Sequence, residues 1–161
     1  MKIILTVGLL AGTLLGGCAS APIAVRPSGT FGPTQVAVED NRPGRPAPAV
    51  IGEWYGSALV LPDNLTAGGV VSDVVGKSYP AARVELEDFW ITSGNFTGDR
   101  PVPITGHLRA RVSNGSKSTV LNATAAWNAP RPTDADFRRV LDGLLGDVEA
   151  TLAMMQMVKE L

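Results

Sequence analysis

Ile104-Thr105-Gly106-His107-Leu108-Arg109-Ala110-Arg111-Val112 alternates apolar and polar residues, runs into Asn114-Gly115, and is answered by a return segment from Ser118 to Trp127. A period of two places Ile104, Leu108, Ala110 and Val112 on one face of a strand and His107, Arg109 and Arg111 on the other. Asn-Gly between two such runs is the preferred centre of a tight hairpin turn, because both positions tolerate positive φ. On the return, Leu121, Ala123, Ala125 and Trp127 share a face. The segment Ala82-Arg83-Val84-Glu85-Leu86-Glu87 also alternates, and Asp88-Phe89-Trp90-Ile91 breaks the alternation as a bulge or a strand end would. This stretch therefore reads as an antiparallel sheet.

Pro130-Arg131-Pro132 ends that sheet. Thr133-Asp134-Ala135-Asp136 fits the start of a capped helix, with Asp in the place where Glu is the better partner. Phe137, Val140, Leu141, Leu144, Leu145, Val148, Leu152 and Met155 then recur at three- and four-residue spacing, which predicts one amphipathic helix of roughly 26 residues and about 39 Å. Arg138, Arg139, Asp142, Asp147 and Glu149 fall on its wetter side. Upstream, Pro62 to Gly76 carries a weaker stripe of Leu65, Val70, Val71, Val74 and Val75, opened by Asp63 or Asn64 and closed by Gly76. Thr34 to Glu39 predicts a strand with Val36 and Val38 on one face, and 40–48 a loop whose prolines cannot donate to a sheet. Val50 to Gly56 and Ser57 to Leu61 read as a short hairpin. Together these elements predict an α+β fold, a single antiparallel sheet with one long C-terminal helix and one short helix packed on one face.

The N-terminus supplies the address. Met1-Lys2 is followed by an apolar run to Leu15 and then Gly16-Gly17-Cys18. One positive charge before a short apolar segment is the pattern of a secretory signal, and the run is shorter than the ~18–20 residues a membrane-spanning helix needs. Leu15-Gly16-Gly17-Cys18 resembles the bacterial lipobox, in which an aliphatic residue and two small ones precede an invariant cysteine that takes up lipid. The expected layout is a signal peptide over 1–17, a flexible tether over 18–33 beginning at lipidated Cys18, and a single α+β domain over 34–161. Cys18 is the only cysteine, so no intramolecular disulfide can form. Ala19, where enterobacterial sorting would read an acidic residue as retention, favours the outer membrane, with the domain facing the periplasm. Loss of 1–17 leaves 13 basic against 15 acidic side chains, a balance that gives no reason to expect a nucleic-acid partner.

The order of elements resembles the YajG-like small bacterial lipoproteins. The resemblance rests on the Leu15–Cys18 lipobox, Val36-Ala37-Val38-Glu39-Asp40-Asn41-Arg42, Ile51-Gly52, the stretch from Val84 to Trp90, the Asn114-Gly115 hairpin and the long C-terminal helix. The chain departs from that pattern between Leu65 and Val84, where the family would have a longer helix. The resemblance implies a fold and an address and carries no reaction with it.

The chemistry-bearing motifs are few. Gly76-Lys77-Ser78 is the tail of a phosphate loop, but Val71 stands where the first glycine belongs and Tyr79-Pro80 replaces the following helix, so no nucleotide is expected. His107 is the only histidine, which rules out a multi-histidine metal site, and no Gly-x-Ser-x-Gly elbow accompanies it. Glu85, Glu87 and Asp88 could divide acid and base work; as a solvated strand face they would be balanced by Arg109 and Arg111. The expectation is no catalytic residue, no metal and no cofactor. Trp90 and Trp127, read at strand ends, are the candidate partner surface. The leading expectation is a non-enzymatic accessory or scaffold lipoprotein of an envelope complex. A binding module for an apolar or lipidic ligand among Val70, Val74, Leu108, Leu144 and Met155 is the alternative. A hydrolase using Glu85, Glu87 or His107 is the third.

Overall fold

The computed structural model describes residues 20–32, 36–95, 98 and 100–158. The signal segment, Cys18 and the start of the first expected strand at Thr34-Gln35 lie outside these. The chain forms β1 (Ile23–Ala24), β2 (Ala37–Asp40), β3 (Val50–Trp54), β4 (Ser57–Val60), α1 (Ala67–Ser78), β5 (Arg83–Ser93), β6 (Val102–Asn114), β7 (Lys117–Ala129) and α2 (Asp134–Val158). The strands make one seven-stranded sheet in the order β1-β4-β3-β5-β6-β7, with β2 also paired to β5. Both helices lie on one face and touch each other. The fold is α+β, with the longer helix at the C-terminus.

The sheet is mixed, which corrects the expectation of a purely antiparallel one. β5-β6-β7 and the β3–β4 hairpin are antiparallel, whereas β1 runs parallel to β4, and β2 and β3 run parallel to β5. The reason lies in the connection: α1 carries the chain from β4 across the sheet, so that β5 enters in the direction of β3. Such a crossover is what a parallel pair requires. β2 and β3 share one flank of β5. β2 pairs with Arg83–Leu86, and β3 pairs through Gly52↔Ile91 and Glu53↔Thr92.

The long helix packs by the face its spacing predicts: Phe137, Val140, Leu141, Leu144, Leu145, Val148 and Leu152 are all buried. Thr133 and Asp136 form the expected cap, the Asp136 carboxylate accepting from the Thr133 N–H at 2.9 Å and its hydroxyl at 2.7 Å. The short helix starts later than expected. Its cap is Thr66, whose hydroxyl accepts from Gly69 N–H at 2.9 Å. Asp63 and Asn64 instead occupy a turn with φ of 58° and 61°, a conformation that Asn and Asp tolerate better than most residues. Gly76 does not close the helix, which runs on to Ser78 with Tyr79 as its C-cap.

Within the segment expected as a tether, residues 23–32 are tied to the domain. β1 joins the sheet, Val25 is fully buried and its N–H donates to the Val60 carbonyl at 2.8 Å. Arg26 pairs with Asp63. Ser28 donates to Asp142 of α2 through its N–H at 2.9 Å and its hydroxyl at 2.6 Å, and Gly32 N–H reaches Asp73 of α1 at 3.2 Å.

Candidate functional site

With both helices on one face, the opposite face of β5-β6-β7 is open to solvent, and the charged residues of the alternation lie there. Arg109 Nε sits 2.6 Å from Glu87 Oε2; Arg111 lies 3.1 Å from Glu87 Oε1 and 3.7 Å from Glu85 Oε2. The expected cross-strand balance of acids by arginines is what the structure contains. These pairs are solvated, so each contributes at most about 1 kcal/mol.

The β5–β6 register shifts between Leu86 and Asp88. This bulge is the event that shapes the site. Without it, Asp88 and Trp90 would continue the phase of Leu86 and point into the core. With it, Glu87 and Asp88 both reach partners on the open face, Phe89 and Ile91 are fully buried, and Trp90 faces outward opposite His107. Re-aiming side chains is what a bulge does. Asp88 Oδ2 lies 3.0 Å from His107 Nε2.

A loop stands over this corner. Arg42 is only 3% exposed. It grips Asp40 through Nε and Nη2, each at 2.8 Å, and also donates to the carbonyls of Val50 and Pro48. A buried guanidinium satisfied in this way fixes the loop between β2 and β3. The arginine bond holds the Asp40 carboxyl below the usual aspartate range, against the opposing effect of burial. Pro43 and Pro46 of this loop close a recess of about 240 Å³ with Arg42, Asp88, Trp90 and His107.

The two tryptophans expected to share a surface lie on opposite faces. Trp127 pairs with Ile104 and faces α2, whereas Trp90 faces the open side. Neither closes its strand: β5 runs three residues past Trp90, to Ser93, and β7 two past Trp127, to Ala129. Trp127 is 38% exposed, yet it is engaged. Its indole N–H donates to Asp136 Oδ1 at 2.9 Å, and the Arg139 guanidinium lies 3.8 Å from its ring centroid. Trp127 thus clamps the start of α2. Trp54 packs against Phe137 with centroids 5.5 Å apart and belongs to the core margin.

The same clamp sets a pH dependence. The hydrogen bond with the Thr133 side chain is the largest cause holding the Asp136 pKa below its ordinary 3.8, helped by the Thr133 N–H, Trp127 and Arg139 and opposed by desolvation. A depressed folded-state pKa stabilises above the unfolded value, and that contribution is lost as pH falls through the folded one. Asp136→Asn should therefore lower the melting temperature at pH 6, and the gap to wild type should close below about pH 4. A gap constant across that range would show that Asp136 acts without its charge.

Gly76-Lys77-Ser78 occupies the last turn of α1, with Lys77 3.3 Å from Asp73 and 3.6 Å from Glu149. Phosphate cradles form at helix N-termini, so this placement gives the motif no such use. Among the described residues, no cluster of His, Cys, Asp and Glu could hold a metal, and no helix is long and apolar enough to cross a membrane. The part played by Arg42, Pro43 and Pro46 is not legible in the sequence alone. Their signal was faint, an arginine two residues after an aspartate at the head of a proline loop.

No known family profile matches the chain, and no curated protein does. A solved structure described as an uncharacterized protein is similar at 8% identity, over 86% of this chain and 89% of its own, with a TM-score of 0.34.

Proposed function

We propose that the protein is a lipid-anchored lipoprotein of the bacterial envelope that works by docking rather than catalysis, receiving an extended, uncharged segment of an envelope partner along β7. One observation carries this reading. β7 is a terminal strand of the sheet, and its 13 residues pair with β6 without a break in register. From Ser118 to Ala129 it contains no charged residue, no proline and no glycine. Sheet edges are ordinarily protected by charges, prolines, bulges or brevity. The opposite edge has such protection, since β1 is two residues long. An unprotected edge of this length suits strand addition, in which main-chain bonds supply the affinity.

The lipobox-like Leu15-Gly16-Gly17-Cys18 and the YajG-like order of elements support the address, with outer-membrane attachment through Cys18. The proposed apolar ligand site fares less well, because Val70, Val74, Leu108 and Leu144 are packed together in the core. Of the hydrolase residues, Glu85 and Glu87 are tied into cross-strand ion pairs with Arg109 and Arg111, and His107 contacts Asp88, all on an open face.

The test has an anchoring arm and a docking arm. Mass spectrometry should find a lipidated Cys18 as the mature N-terminus, and Cys18→Ser should leave an unprocessed precursor. Thr124→Lys/Ala126→Lys places two charges at exposed positions of β7, and should change folding stability by no more than about 0.5 kcal/mol per site. It should reduce partner recovery from detergent-solubilised membranes by at least tenfold. Unchanged recovery by a folded variant would eliminate β7 as the docking edge, and an unmodified Cys18 would eliminate the anchor.

A further inference from the structure

We infer that the recess on the open sheet face, between Trp90, Asp88, His107 and the Pro43–Pro46 loop, is a binding site for a neutral pyranose ring of a glycan. It is separate from the β7 edge and does not depend on strand docking. The recess is assembled by two independent devices. The bulge after Leu86 brings Asp88 and Trp90 to the outer face, and the buried Arg42 holds the proline loop against them. A half-buried indole forms one wall and proline rings another, while one aspartate and one histidine supply the polar rim.

The chemistry of the lining selects the ligand. Arg42 is engaged by Asp40 and by the carbonyls of Val50 and Pro48, and Asp88 is in contact with His107, so the lining offers no free charge to hold an ion. A neutral molecule with an apolar face and a polar edge fits such a lining. A pyranose has that shape: its C–H face lies on an indole, and its hydroxyls both donate and accept. Asp88 and His107 are 39% and 48% exposed at the side chain and are already oriented by their mutual contact at 3.0 Å. The second carboxylate oxygen and the imidazole Nδ1 are the polar atoms an incoming hydroxyl would meet. The volume of about 240 Å³ falls below the roughly 300–1,000 Å³ of pockets that enclose drug-sized ligands. It suits a single ring, with the rest of a chain lying across the open sheet.

The experiment is saturation-transfer NMR on the lipidated full chain, held in a detergent without a sugar headgroup. The probes are chitotetraose, fully N-acetylated, and maltotetraose. Transfer to the ring C–H protons of one or both sugars is expected, with a dissociation constant on the order of 1 mM. Binding of both would show that the ring alone is read; binding of chitotetraose alone would show that the acetamido group is read as well. Trp90→Ala and Asp88→Asn should each weaken binding at least tenfold, Trp90→Phe should weaken it less, and Trp127→Phe should leave it unchanged. If Trp90→Ala fails to fold, Asp88→Asn and His107→Gln carry the same comparison. No transfer to either sugar at about 10 mM, ten times the expected constant, would overturn the assignment. A dissociation constant left unchanged by both Asp88→Asn and Trp90→Ala (or by Asp88→Asn and His107→Gln, where Trp90→Ala does not fold) would overturn it equally.

Discussion

Gly52→Ala is expected to cost about 3 kcal/mol or more and to separate the β1-β4-β3 part of the sheet from the rest. A Cβ at this position would lie 2.0 Å from the Ile91 carbonyl oxygen and 2.9 Å from its carbon. Both are backbone atoms, which cannot rotate aside as a side-chain tip can. Gly52↔Ile91 is also one of the two register pairs that join β3 to β5, so relief by moving the strand breaks the seam itself. Gly44→Ala is the control. Gly44 has φ of +73° and nothing within 4 Å of a built Cβ, so only the left-handed backbone penalty of about 1–2 kcal/mol applies. Equal urea midpoints for the two variants would show that the seam at Gly52 is looser than drawn.

Leu144→Ala should destabilise the domain by about 2–5 kcal/mol, the range for a leucine removed from a packed core. Leu144 is fully buried on the inner face of α2, and its Cδ1 would lie 2.8 Å from a Cβ built on Gly106. That contact makes the prediction sharper than a single truncation. Gly106→Ala alone should destabilise, because Leu144 and Val140 (Cγ1, also at 2.8 Å) must move. In Gly106→Ala/Leu144→Ala the new methyl enters the space the leucine has left, so the double variant should lose less than the sum of the two. A double-mutant cycle in urea showing strict additivity would mean that α2 does not press on β6 at Gly106. Arg139→Ala provides the surface comparison. Its stacking on Trp127 raises the expected cost above that of an ordinary exposed residue, to about 0.5–1 kcal/mol.

Periodic elements were legible in the sequence because their information is local. Alternation around His107, Arg109 and Arg111 and the Asn114-Gly115 turn specify β6 and β7, and the stripe from Phe137 to Leu152 specifies the inner face of α2. Parallel pairing was not legible. Val38 opposite Val84, or Ile23 opposite Leu59, leaves no turn signal, since the partners are remote in the chain and their register is set by α1 and by packing. β1 was hidden for a second reason: two residues are too few to show any period. The broken alternation at Asp88–Ile91 reads equally as a bulge or a strand end, and the register shift at Leu86/Asp88 settles it as a bulge. The company of Trp90 was not legible, because the proline loop reaches it only through the buried grip of Arg42 on Asp40. Trp127 was misplaced as a companion of Trp90 because faces can be compared only once β5, β6 and β7 are in register.

The docking of β1 bears on the geometry of the proposed anchorage. A free tether over 18–33 would extend roughly 50 Å, whereas with β1 in place only five residue steps separate Cys18 from Ile23, at most about 17 Å. Five interstrand intervals from β1 to β7 add about 24 Å across the sheet. On the proposed attachment at Cys18, the part of β7 in line with β1, around Ala125, would stay within about 40 Å of the bilayer. Partners sharing that membrane would thereby be concentrated in a thin layer, while soluble ones would be diluted through the whole compartment. Loosening β1, for instance by losing the Arg26–Asp63 or Ser28–Asp142 contacts, would lengthen the leash and lower that advantage. On the proposed anchoring, the first strand of the fold would act as a setting on encounter frequency.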